Sequence, residues 1–173
     1  METLAEGAIT VEAGLTGDSR GAKFKTRQIT VLAREDWEAA LLDVGSVSPA
    51  EQRQAGSPAE QRQAGSSAEQ RNPKERPLDL PWTVRRANLL VESVRLPRAK
   101  GGILRIGAVV LEITGQTNPC HRMEEAQRGL LSALHPEWRG GVTCRVLKGG
   151  SVRTGDAVEV LVAPNEHTMR LPD

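Results

Sequence analysis

The sequence predicts a mainly β domain with a few helices, an α+β barrel-like fold, on three observations. Short stretches of alternating, β-branched residues recur along the chain, only two stretches change to helical spacing, and glycine-bearing turns separate the strands. Many short strands with few helices argue against an alternating α/β layout.

The elements follow in order. "AITVEA" (8–13) and "RQITVLA" (27–33) alternate as half-buried strands do. "REDWEAALLDVG" (34–45) turns helical, with Trp37, Ala40, Leu41 and Val44 on one face and Gly45 as its stop. "ANLLVESV" (87–94) and "ILRIGAVVLEITG" (103–115) read as strands, and Gly107 predicts a bulge or sharp bend of the kind that closes barrels. After Pro119 the stripe Met123, Ala126, Leu130, Leu131 and Leu134 predicts a second helix ending near Pro136. "GVTCRVL" and "AVEVLVA" are the last strands, with "KGGSVRTGD" as the turn region between them.

Between the first helix and "ANLLVESV" lies a segment of a different kind. "SPAEQRQAG" occurs at 48–56 and again at 57–65, followed by "SSAEQRN". Each nine-residue unit offers only alanine to bury, and Pro49, Gly56, Pro58 and Gly65 interrupt any helix. Such a segment does not offset its ordering entropy, so residues 46–77 are expected to be a disordered low-complexity insert in a single domain spanning 1–173.

The composition bounds the partners. With 173 residues the chain is long enough for one domain with a core, although only 38% of it is apolar and it holds four aromatics. A formal net charge of +1 calls for neither a nucleic acid nor an anionic membrane. No basic n-region opens the chain and no apolar run approaches a membrane span, so a cytoplasmic location is expected. The two cysteines are then expected to be free thiols.

Those cysteines differ. Cys144 shares a strand face with Val142 and Val146 and reads as a core thiol. Cys120, in "TGQTNPCHRMEEAQ", has polar neighbours. Asn118 is a favoured N-cap and Pro119 suits the first helical position, which puts Cys120 in the first turn of the second helix. Unpaired backbone N–H groups there, with His121 and Arg122 alongside, favour a thiolate, the form that acts as nucleophile or soft metal ligand. The plainer reading is a small residue that opens a helix. A zinc site from Cys120, His121, His135 and Cys144 lacks paired ligand spacing.

Several blocks together resemble the MOSC domain, found at the carboxy terminus of molybdenum-cofactor sulfurase and as small stand-alone bacterial proteins. They are "GLTGDSRG" with "RQITVL", then "VRRANLLVE", "LRIGAVVLEITG", "NPCHRM", "RGGVTCRVL" and "GGSVRTGDAVEV", running in the family's order from about Gly14 to Leu161. The resemblance implies a MOSC-like β-barrel with Cys120 as the residue that carries sulfur, as a persulfide, or ligates the molybdenum of a bound molybdopterin cofactor. It also implies cofactor-binding roles for Arg85, Arg86, Asn88 and, after the "GD" turn, Arg20. "GDSRGAKFK" departs from the histidine and glycines often found in that turn.

Arg85 and Arg86 suit phosphate because guanidinium is always charged and binds in a bidentate fork. On a regular strand they leave opposite faces, so one of them is expected at a pocket. Asn88 suits a pterin edge or a turn, and Arg122 lies beside Cys120. Function divides accordingly. A sulfur carrier would draw on a pyridoxal-phosphate-dependent cysteine desulfurase, because no pyridoxal-phosphate domain is recognised here. A molybdenum-dependent reductase would need an electron-transfer partner. The alternatives are a non-catalytic module binding the pterin cofactor or a partner, with an inert cysteine, and an interaction protein displaying the repeat.

Deleting residues 49–72 is expected to leave the thermal midpoint unchanged within error, since halving a disordered loop alters closure entropy by only about 0.6 kcal/mol. Limited proteolysis of the intact chain should cut first within the repeat. Slow amide exchange across it would contradict this reading.

Overall fold

The computed structural model describes residues 3–46 and 78–166. The repeat, and all but the first residue of the expected 46–77 insert, lies outside them; Ser46 itself closes a helix. In chain order the elements are β1 (Glu6–Thr10), β2 (Gly14–Leu15), α1 (Ser19–Lys23), β3 (Ile29–Ala33), α2 (Arg34–Ser46), a 3₁₀ turn (Trp82–Arg85) and β4 (Leu89–Val91). Then follow β5 (Ile103–Ile106), β6 (Val109–Gln116), α3 (His121–Ala126), α4 (Leu130–Leu134), a second 3₁₀ turn (Pro136–Trp138), β7 (Val142–Lys148), β8 (Gly150–Arg153) and β9 (Val158–Val162).

Six strands, in the order β4-β3-β7-β6-β5-β9, form one curled half-barrel sheet, and β2-β1-β8 form a smaller one. Among the described residues only β3 and β4 pair in parallel; the other ladders are antiparallel. Register shifts in the β6–β7 and β5–β9 ladders mark where the strands bend, as bulges do in curled sheets. The expected mainly β architecture with a few helices is thus the observed one, in half-barrel form.

Two apolar clusters lie on either side of β3. Ile29, Val31 and Ala33 face the interior of the curled sheet with Leu104, Leu111, Ile113, Val142 and Cys144. Leu32 faces the other way, into Trp37, Leu41, Val44, Met123, Leu130 and Leu134 from the helices. All five residues of β3 are therefore buried, where alternation had predicted a half-buried strand. Trp37 donates from its indole N–H to the Leu80 carbonyl (3.1 Å), which ties the chain entering the first 3₁₀ turn to α2. Gln28 ties the turn between β1 and β2 to β7: its amide nitrogen donates to the Val11 carbonyl (2.6 Å) and its amide oxygen accepts from Val146 N–H (2.9 Å).

Several elements depart from expectation. Gly45 lies inside α2 rather than ending it. The strand expected over 103–115 is a hairpin, because Gly107, at φ 54°, turns the chain between β5 and β6. The helix expected from Pro119 to Pro136 is two short helices broken at Gly129, at φ 85°. The turn region "KGGSVRTGD" contains a strand, β8, paired with β1. Arg85 and Arg86 do not lie on a strand: Arg85 ends the 3₁₀ turn and Arg86 is left-handed at φ 60°.

Cys144 sits at the centre of this arrangement, aligned with Ile29 on one side and Ile113 on the other, with no exposed surface. Burial pushes its thiol up to about 12. Because that lies above the thiol's ordinary value, the stability it confers is complete below about pH 9 and is lost as pH rises toward 12. Urea melts should show Cys144→Ser destabilised by about 1–3 kcal/mol near neutrality, through a hydroxyl buried among apolar groups. Cys144→Ala should also lose stability less steeply than the unmodified chain above about pH 9. Parallel alkaline slopes would contradict the assignment.

Candidate functional site around Cys120

Strand β6 delivers the chain to Cys120. Beyond Gln116, paired with Val142, Thr117 N–H donates to the Gly141 carbonyl (2.8 Å), and Asn118 and Pro119 lead to the thiol. Cys120 is itself the N-cap of α3, in extended conformation (φ −121°, ψ 169°), with its side chain uninvolved in capping. The expected frame, with Asn118 as cap and Cys120 inside the first turn, is therefore shifted by two residues. Pro119 does not open the helix because the extended φ/ψ pair belongs to the residue after it. The thiol is exposed and free.

What holds this loop is Arg85. Arg85 is only 6% exposed, and its guanidinium reaches from the first 3₁₀ turn to the chain on both sides of the site. Nε donates to the Gly140 carbonyl (2.9 Å), and Nη2 to the carbonyls of Thr117 (2.8 Å) and Asn118 (3.4 Å). Gly140 is required by this contact: a Cβ there would collide with the Thr117 carbonyl and stand 3.2 Å from Arg85 Nη2. Burial pulls the Arg85 guanidinium down to about 10; negative charge on Cys120 acts the other way, and Arg27 reinforces the fall. No carboxylate among the described residues pairs with Arg85.

Asn88, three residues on, belongs to a second network. Its amide oxygen accepts from the backbone N–H (2.9 Å) and the hydroxyl (2.8 Å) of Thr30, and its amide nitrogen donates to Asp18 (2.8 Å). Asp18 caps α1 by accepting from Arg20 N–H (3.0 Å), with the Arg20 side chain on the same oxygen at 3.4 Å. Partial burial raises the Asp18 carboxyl, but these hydrogen bonds outweigh it and hold the group below its ordinary value. Segment 85–88 thus braces the Cys120 loop at one end and the "GD" turn at the other.

The structure therefore connects Arg85 to Cys120, and Asn88 to Arg20 through Asp18. Arg86 and Arg122 are exposed, and no carboxylate among the described residues pairs with either. His121 lies on the exposed face of α3 with Glu125 (3.9 Å). Sequence reasoning missed Thr117, Gly140 and Asp18. The Gly-Gly pair just before a strand and the Asp opening a helix were visible, but their partners lie 23 and 70 positions away in the chain. Thr117 carries one further feature: its hydroxyl oxygen is buried without a hydrogen-bond partner among the described residues. Two clefts, of about 250 and 350 Å³, lie elsewhere, the first against Glu35, Asp36 and Arg95 and the second against Arg98, Lys100 and Trp138.

Comparison with known proteins places this fold. The YUAD protein of Bacillus subtilis superposes with a TM-score of 0.62 at 19% identity, over 92% of this chain and 86% of that one. YiiM from Geobacillus stearothermophilus gives 0.54 at 14% identity, over 92% of this chain and 62% of that one. YiiM from Escherichia coli gives 0.54 at 16%, over 93% and 64%. At these identities the likeness is one of fold, and the chain spans less than two thirds of either YiiM protein. None of the curated proteins matches it. The family model described as "MOSC domain" matches residues 52–159, well over half of the chain and including Arg85 and Cys120. The chain belongs to the MOSC domain family.

Proposed function

We propose that this chain is a sulfur carrier serving the molybdenum cofactor, with Cys120 as the residue that holds the sulfur. The observation behind this reading is an exposed thiol on a loop that a buried arginine clasps at two backbone carbonyls while it is anchored on a third, that of Gly140. A thiol that only fills space needs no such bracing, and one that exchanges sulfur with another protein must be exposed and held in place.

The loading step follows from thiol chemistry. The Cys120 thiolate attacks the terminal sulfur of a persulfide on a pyridoxal-phosphate-dependent cysteine desulfurase. A new S–S bond forms at Cys120, the donor's S–S bond breaks, and the donor cysteine leaves as a thiolate that takes up a proton. No net oxidation occurs. Cys120 then carries a persulfide at the protein surface.

The residues present fit the cofactor on its metal side, where the sulfur of Cys120 is a soft donor. Its phosphate would fall to Arg86 and Arg122, since Nε and Nη2 of Arg85 are committed to backbone carbonyls. When bound, the cofactor supplies a metal centre that accepts sulfur ligands and exchanges electrons. The same soft donor supports a second reading, in which Cys120 ligates molybdenum directly and an electron-transfer partner drives reduction of a substrate.

The test pairs the purified chain with a cysteine desulfurase, cysteine and pyridoxal phosphate, followed by mass spectrometry of the intact protein and its peptides. One added sulfur atom should appear on the Cys120 peptide, be removed by dithiothreitol, and be absent from Cys120→Ser, whose thermal midpoint should be nearly unchanged because serine is a favoured N-cap. If the desulfurase is loaded and Cys120 stays bare, the carrier reading fails. Molybdenum retained after expression with molybdate, and lost in Cys120→Ser, would then favour direct ligation. Neither result would leave a non-catalytic binding module.

A further inference from the structure

Arg85 is a charged group that the fold has buried without a carboxylate partner among the described residues. Backbone carbonyls take the hydrogen bonds of its Nε and Nη2 but carry no full charge, and a buried cation left uncompensated is costly. A neutral donor would have bridged the same carbonyls at lower cost. Its charge therefore calls for an explanation beyond bracing the loop. Two of the three carbonyls it holds belong to Thr117 and Asn118, three and two residues before the thiol. Its remaining nitrogen, Nη1, has no hydrogen-bond partner among the described residues and keeps contact with solvent. The buried Thr117 hydroxyl beside the same carbonyl is likewise unpartnered.

We propose that Arg85 is the positioning and specificity-determining residue of the Cys120 site: its clasp fixes the thiol, and its uncompensated charge makes the site favour anionic reaction partners. The inference rests on Cys120 being the reactive thiol and adds the charge class of what it reacts with. Sulfur donors and acceptors that arrive as anions, such as a persulfide anion or a group bearing phosphate, meet a fixed positive charge held in a low-dielectric setting, where Coulombic attraction is screened less than at a surface. Arg27 and Arg122, both exposed, sit in solvent and add less. Nearby acids are engaged elsewhere: Glu124 accepts from Gly129 N–H (2.9 Å), and Glu125 faces His121.

The experiment compares alkylation of Cys120 by iodoacetate, an anion, and iodoacetamide, its neutral analogue, on the full chain at one pH and low salt, with sites read by peptide mass. Both reagents attack the same thiolate, so the ratio of their rates cancels the fraction ionised. Relative to a free cysteine derivative, the unmodified chain should favour iodoacetate by roughly three- to tenfold, the scale of one nearby unit charge, and added salt should reduce this. Arg85→Gln should abolish the preference, Arg85→Lys should retain most of it while changing the absolute rates, and Arg122→Gln should leave most of it. A purely structural role for Arg85 would change both rates together and leave the ratio alone. No iodoacetate preference in the unmodified chain overturns the proposal even if Arg85 variants fail to fold, as does an unchanged ratio in a folded Arg85→Gln. Sulfur loading of Cys120 without a charge preference would defeat this inference alone. A charge preference without sulfur loading would defeat only the carrier reading.

Discussion

A single buried guanidinium organises the Cys120 loop of this molecule. Arg85 ties the 3₁₀ turn before β4 to the exit of β6 and the entry to β7, two strands that their own ladder already sets side by side. Hydrogen bonds from a charged donor are stronger than neutral ones, and their cost if broken is larger still, because the charge would remain buried. The close approach needed for this clasp explains the glycine at 140, whose missing Cβ is space that the Thr117 carbonyl takes up. Cys120 inherits its placement from that constraint rather than from its own helix, which is only six residues long.

The rest of the fold makes the clasp rigid. Strand β3 is covered on both sides, by the curled sheet's interior and by the helical cluster, so the frame on which segment 85–88 rests does not depend on one face alone. Asn88 locks that segment to Thr30 of β3 and, through Asp18, to the start of α1. Gln28 adds a join between the β1–β2 turn and β7. A surface thiol is thereby supported from a core built out of residues distant in sequence. Holding an exposed side chain on a loop over a fixed scaffold is a common arrangement in proteins.

Much of this was legible in the chain. The strands around Ile29–Ala33, Val142–Lys148 and Val158–Val162, and the buried face of α2, followed from periodicity, and Cys144 from its neighbours. Cys120 stood out because its surroundings are polar. What was not legible came from pairing at long range. A left-handed Arg86 breaks the strand that "RRANLLV" suggests, and local propensity carries no sign of it. The apolar stripe of 123–134 continues in register across Gly129, so the break between α3 and α4 leaves the pattern almost intact. Arg85 read as a phosphate ligand because arginines usually face solvent or a ligand. Its carbonyl partners lie 32, 33 and 55 residues away and have no side-chain signature at all.

The central claim, that a buried Arg85 guanidinium clasps the Cys120 loop, is open to direct observation by NMR of arginine side chains in nitrogen-15-labelled protein. The Nε–H of Arg85, assigned by its loss in Arg85→Lys, should exchange with solvent far more slowly than that of exposed Arg122, because it donates to the Gly140 carbonyl inside the fold. Exchange as fast as that of Arg122 would mean that the guanidinium is solvated and the loop unclasped, and would contradict the account.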